Sequence, residues 1–183
     1  AVEIAQRACE SAGCGDVYIA GAVGPLGMRL RPYGRIARPE ATAAFSEQIT
    51  ALAAAGVDLL LMETFTDHVE MVAALEAAKQ VAPELAVVCS MTFAPDDRTL
   101  LGFTPARVAH ELHKAGANVI GVNCSTGPAQ IASIVRQMRE AVPEVHVSAM
   151  PNAGFPEAVG GRVMYPATAD YFGDYALKFG AMG

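Results

Sequence analysis

Ala115-Gly116-Ala117-Asn118-Val119-Ile120-Gly121-Val122-Asn123-Cys124-Ser125-Thr126-Gly127-Pro128 contains one full repeating unit of this chain. Gly116 stops a helix, an apolar run with the length of a buried strand follows, and polar residues stand at its tip. Ser125 to Pro128 then offers the residue types that cap and start a helix. The same order recurs on both sides. Apolar runs stand at 17–22, 57–62, 85–91, 117–122 and 145–150, and each leads to a stretch with apolar residues at helical spacing, at about 39–55, 68–81, 105–115, 128–141 and 167–179. Ala55-Gly56-Val57-Asp58 and Val81-Ala82-Pro83-Glu84 close two other helices with Gly or Pro in the manner of Gly116.

Five consecutive strand–helix units predict an α/β fold with a parallel sheet covered by helices. A repeat of about 30 to 40 residues fits an eight-unit (β/α)8 barrel of roughly 250 residues, and it also fits an open five-stranded doubly wound sheet. Periodicity alone leaves both open. The ends favour the barrel: Ala1-Val2-Glu3-Ile4-Ala5-Gln6-Arg7-Ala8 reads as the inside of a helix without a cap. Lys178-Phe179-Gly180 reads as a helix end where a further strand is expected. The expectation is a single domain over 1–183 that is cut at both ends.

The chain is 52% hydrophobic, enough for a sizeable core. Its formal net charge of -6 provides no broad positive field, so nucleic acid and anionic membrane surfaces are poor partners and a small molecule is a better one. No apolar stretch approaches the roughly 20 residues that span a bilayer, and the opening residues lack a basic and apolar leader pattern. Cys9, Cys14, Cys89 and Cys124 are too few and too irregular for a disulfide framework, which points to a reducing cytoplasm.

In a barrel the active site gathers where the strands end, so the residues after each apolar run are the candidates. They are Gly21-Ala22-Val23-Gly24-Pro25, Glu63-Thr64, Thr92-Phe93, Asn123-Cys124 and Pro151-Asn152-Ala153-Gly154. Cys124 is at a position suited to a metal ligand or nucleophile, although a lone cysteine by itself reads first as an inert packed thiol. Cys89, amid Val87, Val88 and Met91, reads as packing. Glu63 ends an apolar run where a carboxylate needs a cation or several donors; otherwise it assists the next helix, where Asp67 and Glu70 have capping-box spacing. Asn152 reads as a turn former or a ligand contact.

Other motifs carry less. His110-Glu111-Leu112-His113 has its histidines three apart, not the four of a zincin helix, and reads as a solvated face. Gly21, Gly24 and Gly27 lack the dinucleotide spacing. His68 and His146 have no evident partners and read as surface or structural residues.

Taken together, Gly21-Ala22-Val23-Gly24-Pro25, Met62-Glu63-Thr64, Gly121 through Pro128 and Met150-Pro151-Asn152-Ala153-Gly154 resemble the homocysteine S-methyltransferase family, in the same order along the chain. The resemblance implies a partial (β/α)8 TIM barrel comprising about strands three to seven of eight. It implies transfer of a methyl group to the zinc-bound thiolate of homocysteine, giving methionine. Cys124 matches the first of three zinc-binding cysteines; the other two form an adjacent pair on the family's last strand, and no cysteine follows Cys124 in this sequence. They are expected beyond Gly183, so the 183 residues alone are expected to be inactive. By the same resemblance Glu63 holds the amino group of homocysteine, and Asn123 and Asn152 line its pocket. The partners implied are homocysteine and a methyl donor of unspecified kind, with room for a fused reductase or cobalamin domain outside this chain. The competing readings are another barrel enzyme acting on a small acid or pterin, with Glu63 as general base and Cys124 structural, and a non-catalytic barrel fragment.

Overall fold

Helices form where an acceptor or a proline stands ahead of an apolar stripe. In the computed structural model, Asp67 opens one helix by accepting the Val69 N–H at 2.8 Å, Thr104 opens another by accepting the Arg107 N–H at 3.3 Å, and Thr168 opens a third by accepting the Tyr171 N–H at 3.2 Å. The structure describes every residue except Cys14, Thr126, Phe155, Pro166 and Gly183. Cys14 from the cysteine set and Thr126 from the segment ahead of Pro128 therefore lie outside the described residues.

The elements run α1 (Val2–Ala12), β1 (Ala20–Val23), α2 (Arg38–Ala54), β2 (Leu59–Phe65), α3 (His68–Val81), β3 (Ala86–Met91), α4 (Pro105–Ala115), β4 (Val119–Cys124), α5 (Pro128–Ala141), β5 (His146–Pro151), β6 (Glu157–Val159), β7 (Arg162–Met164) and α6 (Ala169–Ala181). Strands β1 to β5 form one parallel sheet in sequence order, and β6 and β7 form an antiparallel hairpin. Helices pack in the same succession, α2 on α3, α3 on α4, α4 on α5 and α5 on α6. A doubly wound sheet reverses its strand order and places helices on both faces, so consecutive strands under consecutive helices identify the arc of a barrel.

The core lies between sheet and helices. Leu60, Met62, Cys89, Ile120 and Val122 face Ile49, Met71, Leu75, Leu112, Ile131 and Ile134, all fully buried. On the opposite side of the sheet small residues share a row: Ser90 pairs with Gly121, and Gly121 with Ser148. A side chain at Gly121 would begin 2.9 Å from the Ser148 carbonyl oxygen and 3.2 Å from Ser90 Oγ, so the concave face accepts only a hydrogen there. No helix of the described residues is long and apolar enough to cross a membrane.

The structure corrects several expectations. The first strand starts at Ala20 rather than 17, because Val17 and Tyr18 are 53% and 78% exposed and have no strand partner among the described residues. Strands β2 and β4 run further than their apolar cores, so Glu63 and Cys124 are inside strands and not after them. The β6–β7 hairpin separates β5 from α6, which begins at Ala169 rather than 167. Asp67 caps α3, yet Glu70 does not complete the box: its Oε1 accepts the Leu26 N–H at 2.8 Å, because the loop after β1 crosses the start of α3.

Candidate functional site

Parallel strands joined by covering helices all end at the same rim, which brings the tips of β2, β3, β4 and β5 together. β4 ends in Asn123 and Cys124, which pair in register with Met150 and Pro151 of β5, so Asn152 follows directly beyond the partner of Cys124. Glu63 and Thr64 lie just before Phe65, the final residue of β2, where its register to β3 shifts between Met62 and Phe65.

Asn123 is the hub of this rim. It is 4% exposed, and its Oδ1 accepts the Thr64 N–H at 2.9 Å while its Nδ2 donates to Thr64 Oγ1 at 2.9 Å. The same Nδ2 lies 3.3 Å from Cys124 Sγ, and Thr64 Oγ1 lies 4.0 Å from that sulfur. Thr92 Oγ1 donates to the Asn123 carbonyl at 3.1 Å, and Ser125 Oγ accepts the Phe93 N–H at 3.0 Å. Thr64, Cys124 and Ser125 have φ of 67°, 57° and 56°, a region L-residues enter rarely and mostly at functional turns. Cys124 and Glu63 are half-buried, and Asn152 is exposed. The structure therefore links Asn123 directly to Cys124 and to Thr64, the residue beside Glu63. Asn152 stands at the same rim without a hydrogen bond to this network.

Thr64, Thr92 and Ser125 were visible only as polar residues near strand ends; that they are bonded to one another depends on which strands are neighbours. A recess of about 440 Å3 adjoins the tips of β4 and β5, lined by Gly127, Pro128, Ala153, Gly154, Thr168 and Tyr171 among others. A second, of about 230 Å3, lies under the loop after β1, where Asp67 and Glu70 are buried. Burial raises the Glu70 carboxyl above its usual range, the Leu26 N–H opposes that, and Asp67 adds to it.

The chemistry of the donor set limits what metal these residues hold by themselves. Among the described residues no group of three or more His, Cys, Asp or Glu could hold a metal ion. Cys124 brings one thiol to the rim; Cys9 belongs to α1, and Cys89 is fully buried in β3, where burial pushes its thiol up to about 12. His68 is buried with its ring 4.3 Å from that of Phe103, its Nδ1 unpartnered and its pKa lowered first by burial, so it packs beside the rim. His110 and Glu111 are exposed, while His113 lies 3.2 Å from Glu144, so that run is a solvated helix face.

A family model described as homocysteine S-methyltransferase matches residues 1–183. Methionine synthase from Mycobacterium tuberculosis (strain ATCC 25618 / H37Rv) is 28% identical over 182 residues, covering 96% of this chain and 15% of that protein. Methionine synthase from Mycobacterium leprae (strain TN) is 29% identical over 166 residues, 88% of this chain and 14% of that one. Among solved structures, the apo form of the homocysteine methyltransferase MmuM from Escherichia coli matches with a TM-score of 0.77 at 21% identity, over 100% of this chain and 62% of that chain. Its metallated form matches with a TM-score of 0.73 at 22% identity, over 100% and 61%. These structural likenesses establish the partial barrel fold. The chain spans about one-seventh of the length of the methionine synthases it matches. From the match over its whole length, the chain belongs to the homocysteine S-methyltransferase family.

Proposed function

We propose that this chain forms the homocysteine-binding rim of an enzyme that transfers a methyl group to the sulfur of homocysteine, giving methionine. The observation that carries the reading is the rim itself: a carboxylate at the tip of β2 and a thiol at the tip of β4, tied together by the Thr64–Asn123 pair. Homocysteine has an amino group and a thiol at opposite ends of a short chain, and this rim offers a partner for each.

Among the described residues, Cys124 is the thiol placed at the rim to serve as a zinc ligand. When bound, zinc lowers the pKa of a substrate thiol so that it is a thiolate at neutral pH. Among the described residues the Glu63 side chain makes no hydrogen bond or ion pair, which leaves its carboxylate available for the substrate ammonium. Asn123 supports the sulfur end, and Asn152 closes the pocket from β5. In the net reaction the homocysteine sulfur loses its proton and gains the methyl group, while the donor leaves demethylated. Holding sulfur, methyl and leaving group in line is the main contribution expected of the protein. Cys9, Cys89 and Cys124 are free thiols, which suits a reducing, cytoplasmic setting. The greater length of the methionine synthase relatives leaves room for donor-carrying domains.

The test uses the full-length protein with homocysteine and, in turn, S-methylmethionine, betaine and a methylfolate–cobalamin mixture, measuring methionine formed. Zinc-dependent methionine production that Cys124→Ala abolishes is the expected result. Full activity after zinc removal, or in Cys124→Ala, would sink the proposal.

A further inference from the structure

Met62 pairs with Cys89 and Phe65 with Met91, so three steps along β2 match two along β3 and one residue is extra. That insertion decides where Glu63 stands. Leu60 and Met62 face the helices, with Glu63 on the concave side; without the bulge, Phe65 would follow Glu63 toward the rim. Instead Phe65 returns to the helix layer, fully buried with its ring 6.0 Å from that of Phe45, and Glu63 and Thr64 are both left at the mouth. Thr64 takes the strain, since a β-branched residue at a φ of 67° is unusual. Asn123 holds it there at two points, accepting from its N–H and donating to its Oγ1. An amide has the acceptor and the donor that this pair of contacts needs, whereas a carboxylate has only acceptors.

We infer that the Asn123–Thr64 clamp aims Glu63, which makes Thr64 and Asn123 positioning residues for the amino group of the substrate; this rests on the reading of Glu63 proposed above. The clamp sets the bulge, the bulge sets the carboxylate, and the same Asn123 touches Cys124 Sγ. One side chain thereby fixes the spacing between the two ends of the substrate.

The experiment measures homocysteine KM, kcat, zinc content and melting temperature of the full-length, zinc-loaded protein. Thr64→Gly enters positive φ without strain but lacks the hydroxyl, so it separates clamping from folding. The expected result is a KM raised about tenfold with kcat changed less than about threefold, unchanged zinc, and a melting temperature unchanged or higher. Thr64→Ser, which keeps the hydroxyl, restores binding to within about twofold of wild type. In a Glu63→Gln background Thr64→Gly adds no further loss, because it acts through the carboxylate. Should Thr64→Gly not fold, Thr64→Ala takes its place in the same comparison. An unchanged KM in the hydroxyl-free variant, or an equal loss in the Glu63→Gln background, overturns the clamp while leaving Glu63 its role. No effect of Glu63→Gln alone overturns both.

Discussion

Cys89 and Cys124 sit on adjacent strands and illustrate how position decides what a thiol can do. Cys89 faces the helix layer with no exposed surface, and burial pushes its thiol up to about 12, so the thiolate is essentially absent at physiological pH. Cys124 is half-buried at the rim. Alkylation of the metal-free native protein at about pH 8, with peptide mapping by mass, is expected to label Cys124 and to spare Cys89 until the fold is lost. Equal labelling of the two in the native state would contradict this. Glu70 gives a second prediction at this scale. Burial raises its carboxyl above the ordinary value, so the folded state holds the proton more tightly than the unfolded chain. Stability therefore falls as pH rises from the unfolded value through the folded one. Glu70→Gln keeps an oxygen to accept the Leu26 N–H and cannot ionise. Denaturation measured from about pH 4 to about pH 7 is expected to show wild type losing stability relative to this variant as pH rises. A constant difference across that range would remove Glu70 as the cause.

At the scale of elements, Asp97 ties the loop between β3 and α4 to α5. Asp97, with a φ of 57°, accepts from Gln130 Nε2 at 2.9 Å, Ser133 Oγ at 3.2 Å and Gln137 Nε2 at 3.3 Å, three residues along one side of α5. Asp97→Ala is expected to lower unfolding free energy by about 2 kcal/mol, the typical scale for hydrogen bonds to a charged group. Chemical denaturation showing a change below about 0.5 kcal/mol would mean that solvent replaces those donors fully. How readily the elements were read from sequence follows from where their signals lie. His68–Val81, Pro105–Ala115 and Pro128–Ala141 were readable to the residue, because each has a buried stripe and an opening Asp, Thr or Pro. The β6–β7 hairpin has three exposed residues per strand and no apolar alternation; Gly160-Gly161 at its turn was the available signal. Strand-tip positions made Glu63, Asn123, Cys124 and Asn152 candidates. The bulge at Thr64 was not readable, since an extra residue exists only relative to the register of a neighbouring strand. Nor was the diversion of Glu70 from its helix cap to Leu26, a contact 44 residues away in sequence.

At the scale of the whole molecule, sheet closure and the metal site raise the same question of what these residues do unaided. Among the described residues β1 and β5 each pair on one side only, and apolar side chains are exposed in β5, with Met150 at 51%, and in and just after β7, with Val163 at 72% and Tyr165 at 53%. Open edges of parallel strands recruit other chains, so the 183-residue polypeptide by itself is expected to self-associate with concentration in sedimentation velocity. A monodisperse monomer that melts cooperatively would count against that. Zinc is the sharper probe. Catalytic zinc sites commonly have three protein ligands and an open position, and the described residues bring one thiol to the rim. One thiolate holds zinc too weakly to survive a chelator, so the 183-residue polypeptide washed with EDTA is expected to retain well under one equivalent, by elemental analysis. A chain extended to carry the further proposed ligands is expected to keep it, and Cys124→Ala in that chain to lose it. Stoichiometric zinc on the short polypeptide would require ligands other than a set of three thiolates, and would move the search to the carboxylates and amides around Cys124. Zinc held equally by the Cys124→Ala full-length protein would place the metal elsewhere in the molecule and leave the β4 tip without its proposed role.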